Sequence, residues 1–355
     1  MSRRGRLLIV GGGQSGLAAA RAGRDRGWEP VVLEAGEEPV GSWPHYYDSL
    51  RLFSPRQFSA FPGHPFPGDP DGYPGRDEVV DYLRGYADLL DVEVRANARV
   101  IDVVADGSGF AVEMADGSSL VGDAIIAASG SFANPHVPAV PGHETYQGRV
   151  LHVAGYRSPG EFAGQRVVVV GAGNSAVQVA HELADHAQTS LAVRDRVRFA
   201  PQVIAGRDLH WWLLLTRAHL LPPSVLTRII TGTPVIDTGK YRAALEAAHP
   251  DQRPMFAEYV PDGVVWPDGS RERVDSVVFA TGYRPHLPYL ASLGVLDEAG
   301  APRHNRGVAT VRPGLAFLGL ELQRSFSSNT LRGVHRDARY VVEALTRQPR
   351  NIAVA

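Results

Sequence analysis

Two glycine-rich turns, each following a short apolar run, limit what this chain can fold into more than any other feature. The first stretch is RLLIVGGGQSG, residues 6–16, and the second is RVVVVGAGNSA, residues 166–176. Each apolar run predicts a buried strand, Arg6–Val10 or Arg166–Val170, and a helical pattern follows each turn. A strand, a glycine-rich turn and a helix in this order form the phosphate-binding unit of doubly wound α/β proteins. The chain is therefore predicted to contain two such units.

The residues of each turn have distinct physical roles. The first glycine permits the tight turn, the middle glycine lets a phosphate approach the backbone, and the last position lets helix and strand pack closely. Free N–H groups and the dipole at the helix start favour the pyrophosphate of a dinucleotide. We assign Gly11, Gly13, Gln14, Ser15 and Gly16 to the first site, and Gly171, Gly173, Asn174, Ser175 and Ala176 to the second. Ala176 replaces the last glycine, a minor variation that we expect this position to tolerate.

The residue after each second strand indicates which dinucleotide each turn binds. Glu34 stands 23 residues after Gly11. Arg194 has the same spacing from Gly171. A carboxylate accepts hydrogen bonds from ribose hydroxyls and repels a 2′-phosphate, whereas a guanidinium matches that phosphate. The first site is therefore predicted to bind FAD and the second NADPH, with NADH as an alternative because Asp195 can hold a ribose hydroxyl or neutralise its neighbour.

The two units also end alike. Residues 114–130, MADGSSLVGDAIIAASG, align without gaps on residues 266–282, WPDGSRERVDSVVFATG. An Asp-Gly pair between apolar runs predicts a hairpin, and the apolar runs that follow predict buried strands. We therefore expect an α/β fold with two Rossmann-like dinucleotide-binding domains, each with a small antiparallel excursion. The predicted FAD domain spans 1–150 and 283–355, and the NADPH domain, 151–282, is inserted into it.

Composition excludes several classes of function. The chain has 355 residues and no cysteine, so thiolate metal sites, iron–sulfur clusters and redox chemistry through a protein dithiol are excluded. His181 and His186 flank a sequence similar to a zinc-protease motif, but their spacing of five places them on different faces of a helix, and we predict no metal site. The formal net charge of −2 gives no field for nucleic acid. We expect a cytoplasmic protein without membrane contact, and a homodimer remains open.

One segment between the two units carries a family resemblance. In YQGRVLHVAGY, Tyr146, Gly148, His152 and Tyr156 match the pattern FxGxxxHxxxY/F, with Tyr for the first Phe. With both dinucleotide turns, this segment resembles the class B flavin-dependent monooxygenases, most closely their short bacterial branch. Further matches are GSW (41–43), FP (61–62), TPVIDTG (233–239) and ATGY (280–283). Without the pattern, His152 reads as a solvated loop residue.

The resemblance implies additional site residues. It adds Trp43, Val100 and Gly130 to the FAD site, and His152, Thr281 and Gly282 to the NADPH site. One departure concerns the loop of the first unit, where the better-known eukaryotic members carry an asparagine two residues before a proline. Here Phe53 occupies that position, so an amide is replaced by an aromatic ring.

The pocket is less defined by sequence than the nucleotide turns. We assign no catalytic acid or base, and Phe53, Ser54 and Asn329 are the pocket candidates. Residues 327–329, Ser-Ser-Asn, are expected to cap a C-terminal helix whose start faces the flavin, with an ordinary structural cap as the alternative. The apolar segment 210–230 is expected to be a substrate-access cap or an interface, with a membrane-touching patch and simple core as alternatives.

The resemblance also implies the chemistry. NADPH reduces FAD, O2 forms a C4a-hydroperoxyflavin, and one oxygen atom passes to a small soft nucleophile or carbonyl such as a sulfide, amine, ketone or metalloid. We therefore expect a flavin-dependent NAD(P)H monooxygenase whose partners are O2 and a small-molecule substrate. Two other functions remain open: a flavoprotein reductase or oxidase that passes electrons to a partner or to O2, and a non-catalytic redox sensor.

Overall fold

The computed structural model describes residues 5–222, 224–225 and 234–348. Two sheets form the frame of this part of the chain, one of seven strands and one of five. Each sheet contains one of the two glycine-rich turns, and each is accompanied by a three-stranded antiparallel sheet. The predicted α/β fold with two Rossmann-like units, each with an antiparallel excursion, is confirmed.

The first unit is built around the strand that precedes the first turn. Its elements, in chain order, are β1 (Arg6–Val10), α1 (Gln14–Asp25), β2 (Glu29–Leu33), α2 (Arg76–Leu89), β3 (Glu93–Arg95), β4 (Val100–Asp106), β5 (Gly109–Met114), β6 (Ser119–Gly122) and β7 (Ala124–Ala127). Strands β2 and β7 pair with β1 on opposite sides, both in parallel. The turn after β1 therefore lies where the strand order reverses, which is where doubly wound sheets bind ligands.

The second unit repeats this arrangement. Its elements are β8 (Arg149–His152), β9 (Arg166–Val170), α3 (Asn174–Ala184), β10 (Gln188–Val193), β11 (Phe199–Pro201), β12 (Val203–Ile204), β13 (Arg207–Asp208), α4 (Leu209–Leu215), β14 (Val235–Asp237), α5 (Lys240–Glu246), β15 (Asp251–Pro254), β16 (Glu258–Val260), β17 (Gly263–Val265), β18 (Arg271–Arg273) and β19 (Ser276–Phe279). Strands β10 and β19 flank β9 in parallel. The order β15-β10-β9-β19-β8 completes a parallel sheet.

The C-terminal segment returns to the first unit. It contains β20 (His304–Asn305), β21 (Val308–Ala309), β22 (Leu315–Phe317) and the helix α6 (Leu331–Arg347). Strand β22 pairs in parallel with β7, and α6 packs its buried face, including Val334, Ala338 and Val341, into the same core as α1. The first sheet is thus assembled from both ends of the chain.

Apolar cores cover both faces of each sheet. In the first unit, α1, α2 and α6 pack on one face, and the antiparallel strands β4 and β5 pack on the other. In the second unit, α3 packs on one face and residues around β16–β18 pack on the other. Strands buried on both faces read as continuous apolar runs, which explains the valines of β9.

The segment 210–230 lies partly outside the described residues, which omit 223 and 226–233; residue 233 of the TPVIDTG match is among those omitted. Its described part is mixed in burial. His210 is buried, whereas Leu214 and Leu215 are exposed. This part of the segment is therefore not simple core.

Candidate functional site

The first turn is tightly packed and leaves the start of α1 unsatisfied. Gly11 ends β1 with a φ of +104°, a conformation that favours glycine. A Cβ on Gly16 would lie 1.8 Å from the Gly11 carbonyl oxygen. Gly13 is the N-cap of α1, and no side chain caps the helix there. The first N–H groups of α1 therefore lack the side-chain partner that helix starts usually have.

Glu34 lies at the end of β2, beside this turn. Its side chain is buried. Its Oε2 accepts a hydrogen bond from the Gly12 N–H at 2.5 Å, and its Oε1 accepts one from the Gly36 N–H at 2.7 Å. These bonds fix the carboxylate next to the turn, where the strand ends meet.

The other residues assigned to FAD lie around the same edge of the sheet. Gly130 follows β7, which neighbours β1. Val100 begins β4 and is buried. Trp43 lies in a short 3-10 helix that begins two residues after Gly41. A Cβ on Gly41 would lie 2.8 Å from the Cα of Gly13, so this segment lies directly beside the turn.

The second turn has similar geometry. Gly171 ends β9 with a φ of +143°, and Gly173 is the N-cap of α3 without a side-chain cap. Asn174 begins α3, and its Oδ1 accepts a hydrogen bond from the Ile236 N–H at 3.1 Å. Ala176 is fully buried. Helix α3 runs from Asn174 to Ala184, so its first turn includes the end of the glycine-rich motif.

A cleft of about 740 Å³ opens at this turn. Gly171, Gly173 and Thr281 line it together with Arg194, which follows β10. Arg194 is exposed and, within the described part of the chain, forms no ion pair with Asp195. The cleft therefore presents a free guanidinium where the ribose of a bound dinucleotide is expected.

The sequence predictions missed two further cations of this cleft. Arg196 and Arg198 line it alongside Arg194. The signal was present as the alternating arginines of RDRVR, residues 194–198. Every second residue of this stretch is an arginine, and all three side chains line the cleft.

His152 is the last residue of β8, at the carboxyl end of the second sheet. Its side chain is buried, its Nδ1 accepts from the Ala154 N–H at 3.1 Å, and its Nε2 has no partner. Burial lowers the pKa of His152 to about 4. The alternative of a solvated loop residue is therefore wrong, because strand pairing with β19 carries His152 into the protein. Gly282 follows β19 and accepts a hydrogen bond from the His136 N–H at 2.9 Å.

A row of aromatic rings connects the two sites. From Trp43 beside the first turn, ring centroids follow one another at 5.5 Å to Tyr46, 4.6 Å to Phe132 and 5.2 Å to Tyr283. Tyr283 then packs edge-on at 4.9 Å from the His152 ring. The space between the two turns is thus walled by rings, which suit stacking with flat heterocycles.

The pocket candidates lie in three places. Phe53 is partly buried, Ser54 is buried with its Oγ 2.8 Å from Ser59 Oγ, and Asn329 is exposed before α6. The Asn329 carbonyl accepts a hydrogen bond from Gln14 Nε2 at 2.7 Å, so the start of α6 contacts the first turn. Gln14 therefore links the first glycine-rich turn to the segment that contains Asn329.

The expected cap at residues 327–329 is wrong. The N-cap of α6 is Thr330, and no side chain caps the helix there. Ser328 Oγ instead accepts hydrogen bonds from the N–H groups of Arg324 and Ser325, at 3.0 and 2.9 Å. The serine hydroxyl shapes the preceding loop, so it is not available to the helix.

Sequence reasoning also missed a polar cluster against Phe53. Gln202 Nε2 donates to the Phe53 carbonyl at 3.0 Å and to the Asp208 carboxylate at 2.5 Å. Asp208 also accepts from His210 Nδ1 at 2.8 Å. These residues come from β13, the loop before β12 and α4, and no motif in the sequence links them.

Neither a metal site nor a membrane span is found in the described ranges. No group of three or more His, Asp or Glu side chains there is arranged to hold a metal ion. No helix in the same residues is long and apolar enough to cross a membrane.

Comparisons with known proteins agree on a family. Residues 8–204 match the family described as pyridine nucleotide-disulphide oxidoreductase. The chain is 33% identical over 343 residues to "Uncharacterized oxidoreductase CzcO-like" of Geobacillus kaustophilus, covering 95% of this chain and 97% of that protein. It is 32% identical to "Indole-3-pyruvate monooxygenase YUCCA1" of Oryza sativa, covering 86% of this chain and 82% of the relative.

A solved structure gives the same result. The flavin-containing monooxygenase from Stenotrophomonas maltophilia superposes with a TM-score of 0.84 at 31% identity. The match covers 97% of this chain and 98% of that one. Both the fold and the pairing of the two units are therefore shared along nearly the whole length.

Proposed function

The chain belongs to the class B flavin-dependent monooxygenase family, whose flavin monooxygenases use FAD and NADPH, and on that premise we propose how its residues divide the work. The first turn binds FAD, the second binds NADPH, and one oxygen atom of O2 passes to a small soft nucleophile. The observation that carries the proposal is the pair of uncapped helix starts with opposite charges beside them, Glu34 in one unit and Arg194 in the other.

The first turn fits FAD. Close packing at Gly16 and the uncapped start of α1 leave room and N–H groups for a pyrophosphate. The Glu34 carboxylate is held at the strand end that faces the ribose in such folds. We place Gly11, Gly13, Gln14, Ser15, Gly16, Glu34, Trp43, Val100 and Gly130 in this site.

The second turn fits NADPH. Three arginines line its cleft, and a 2′-phosphate is the part of NADPH that pairs with a guanidinium. We place Gly171, Gly173, Asn174, Ser175, Ala176, Arg194, His152, Thr281 and Gly282 in this site. Neutral His152 and the neighbouring rings form a wall suited to the nicotinamide.

The domain bounds follow from this division. We propose a flavin domain of residues 1–150 and 283–355 with a nicotinamide domain of 151–282 inserted. The pairing of β22 with β7 supports the return of the chain to the flavin domain. Strand β8, Arg149–His152, lies at the junction.

The proposed reaction consumes NADPH, a proton, O2 and substrate, and yields NADP⁺, water and the oxygenated product. When bound, the flavin supplies the activation of O2, and the protein supplies binding, orientation and exclusion of water. The partly buried aromatic row serves the last of these tasks, because rings exclude water from the space between the turns. A thioether is the substrate we favour for testing, since its sulfur is a soft nucleophile.

A second function has one observation in its favour. Phe53 stands where the better-known members carry an amide, and its ring cannot donate a hydrogen bond. Weaker protection of the activated oxygen would turn the enzyme into an NADPH oxidase or a reductase for another acceptor. The two functions differ in the fate of the electrons.

The deciding experiment measures that fate. FAD-loaded protein is given NADPH with and without thioanisole, and NADPH loss, peroxide and sulfoxide are quantified together. One sulfoxide per NADPH supports the monooxygenase. Peroxide alone, whatever substrate is added, supports the oxidase, and turnover only with an added electron acceptor supports the reductase.

A further inference from the structure

Arg332 is partly buried and forms no ion pair among the described residues. It is the second residue of α6, and its Nη2 is buried without a hydrogen-bond partner. Burial lowers the pKa of Arg332 to about 10. Removing part of a guanidinium from water without giving it a partner is costly, so this arrangement indicates that an anion arrives from outside the chain.

The carboxylate whose charge acts on Arg332 is already engaged. Asp208 attracts Arg332 electrostatically. Its Oδ1 accepts from the His210 N–H at 2.7 Å and from His210 Nδ1 at 2.8 Å. Its Oδ2 accepts from Tyr73 OH at 2.7 Å and from Gln202 Nε2 at 2.5 Å. With four hydrogen bonds made, Asp208 holds its own neighbours and forms no ion pair with Arg332 among the described residues.

His210 adds a second unpartnered atom in the same place. The side chain is only 1% exposed, and its Nε2 has no hydrogen-bond partner. Since a carboxylate only accepts, the Nδ1 facing Asp208 carries the proton and Nε2 of the neutral ring is an acceptor. The imidazole stacks near Phe53 and Phe58, with ring centroids at 6.1 and 6.3 Å. Arg332 and His210 together form the polar end of a pocket, and the rings of Phe53 and Phe58 form apolar walls beside it.

This polar end adjoins the first turn. Ser327, in the loop before α6, donates through Oγ to the His219 carbonyl at 3.3 Å, which joins that loop to the segment after α4. Asn329 in the same loop contacts Gln14 of the turn. Arg332 therefore lies near the start of a helix whose preceding loop contacts both the first turn and the segment after α4.

We propose that Arg332 binds the carboxylate of the substrate, so that the substrate is a small organic acid with an apolar body. This rests on the proposed monooxygenase function, because it places the acid in the same site. The rings of Phe53 and Phe58, which lie beside His210, contact the apolar part of the substrate.

The test compares two thioethers that differ in charge, (phenylthio)acetate and (phenylthio)acetamide. Dissociation constants come from the absorbance change of the bound FAD, and sulfoxide formation is measured in parallel. We expect Arg332→Gln to weaken binding of the acid by about 10- to 100-fold and to leave the amide within about twofold, since a charge-assisted bond is lost only by the acid. Arg336→Gln is the matched control, because Arg336 is exposed on the same helix, and it should leave both constants unchanged.

Other results separate the possible sources of the anion. A fall in the FAD-to-protein ratio or a raised KM for NADPH in Arg332→Gln, with an unchanged preference between acid and amide, would assign the guanidinium to a cofactor and overturn the proposal. Equal affinity of wild-type protein for acid and amide would also overturn it. Arg332-dependent binding of the acid without sulfoxide from either compound supports the carboxylate site while rejecting the monooxygenase. Should Arg332→Gln not fold, Arg332→Lys carries the test, and a reduced acid preference is again the expected result.

Discussion

Replacing Gly16 by alanine should disable the first turn, although the second turn has alanine at the same position. A Cβ on Gly16 would lie 1.8 Å from the Gly11 carbonyl oxygen and 2.9 Å from its carbon. The shorter contact is 1.6 Å below 3.4 Å, the lower limit of ordinary van der Waals contact, so β1 and α1 must move apart. Overpacking in a rigid interior costs about 1–3 kcal/mol, and we expect Gly16→Ala to cost at least the upper end of that range.

The assay is thermal unfolding together with the FAD-to-protein ratio of the purified protein. Gly16→Ala should lower the unfolding temperature and lose most of its FAD, because the displaced turn no longer presents its N–H groups. Ala176→Gly in the second turn is the matched control, and we expect it to cost only about 1 kcal/mol, from glycine in a helix, and to keep FAD. Full FAD content and unchanged unfolding in Gly16→Ala would refute the close-packing argument.

Two further substitutions test the second site and its titration. Arg194→Ala should raise the KM for NADPH about tenfold and leave that for NADH nearly unchanged, because only the 2′-phosphate pairs with the guanidinium; equal losses for both cofactors would count against the assignment. Burial lowers the pKa of His152 from 6.5 to about 4. As the pH falls below 6.5, the unfolded chain therefore binds a proton at this residue before the folded protein does. The folded state loses about 2 kcal/mol of stability by about pH 5 for this reason. Urea unfolding at about pH 7 and 5 should show a smaller loss in His152→Asn than in the wild type, and identical losses would contradict this.

The paired units are predictable from sequence because their signals are local and repeated. The strand Arg166–Val170 and the hairpin at Asp116 and Gly117 depend on neighbours within a few residues, and the structure contains both. Strand β2 begins at Glu29, which pairs with Arg6 at the start of β1. Repetition makes each copy a check on the other.

The polar end of the pocket is not predictable in the same way. Arg332 lies more than a hundred residues after Asp208 and His210 in the chain. Each of the three is an ordinary residue in its own stretch of sequence. They come together only where the loop before α6 meets the segment after α4, as in the hydrogen bond from Ser327 to the His219 carbonyl. The error at Ser328 has a related cause: a hydroxyl with several backbone N–H groups within reach can cap a helix or stabilise a loop, and only the fold decides between them.

The proposed reaction needs both nucleotide sites, and its outcome is the transfer of one oxygen atom from O2 to the substrate. The most direct measurement supplies FAD-loaded protein with NADPH, a thioether and ¹⁸O₂, and determines the isotope in the product by mass spectrometry. We expect one heavy oxygen atom in each sulfoxide and one NADPH consumed for each sulfoxide formed. Sulfoxide without the heavy isotope, or NADPH consumption that yields only peroxide, would contradict this expectation.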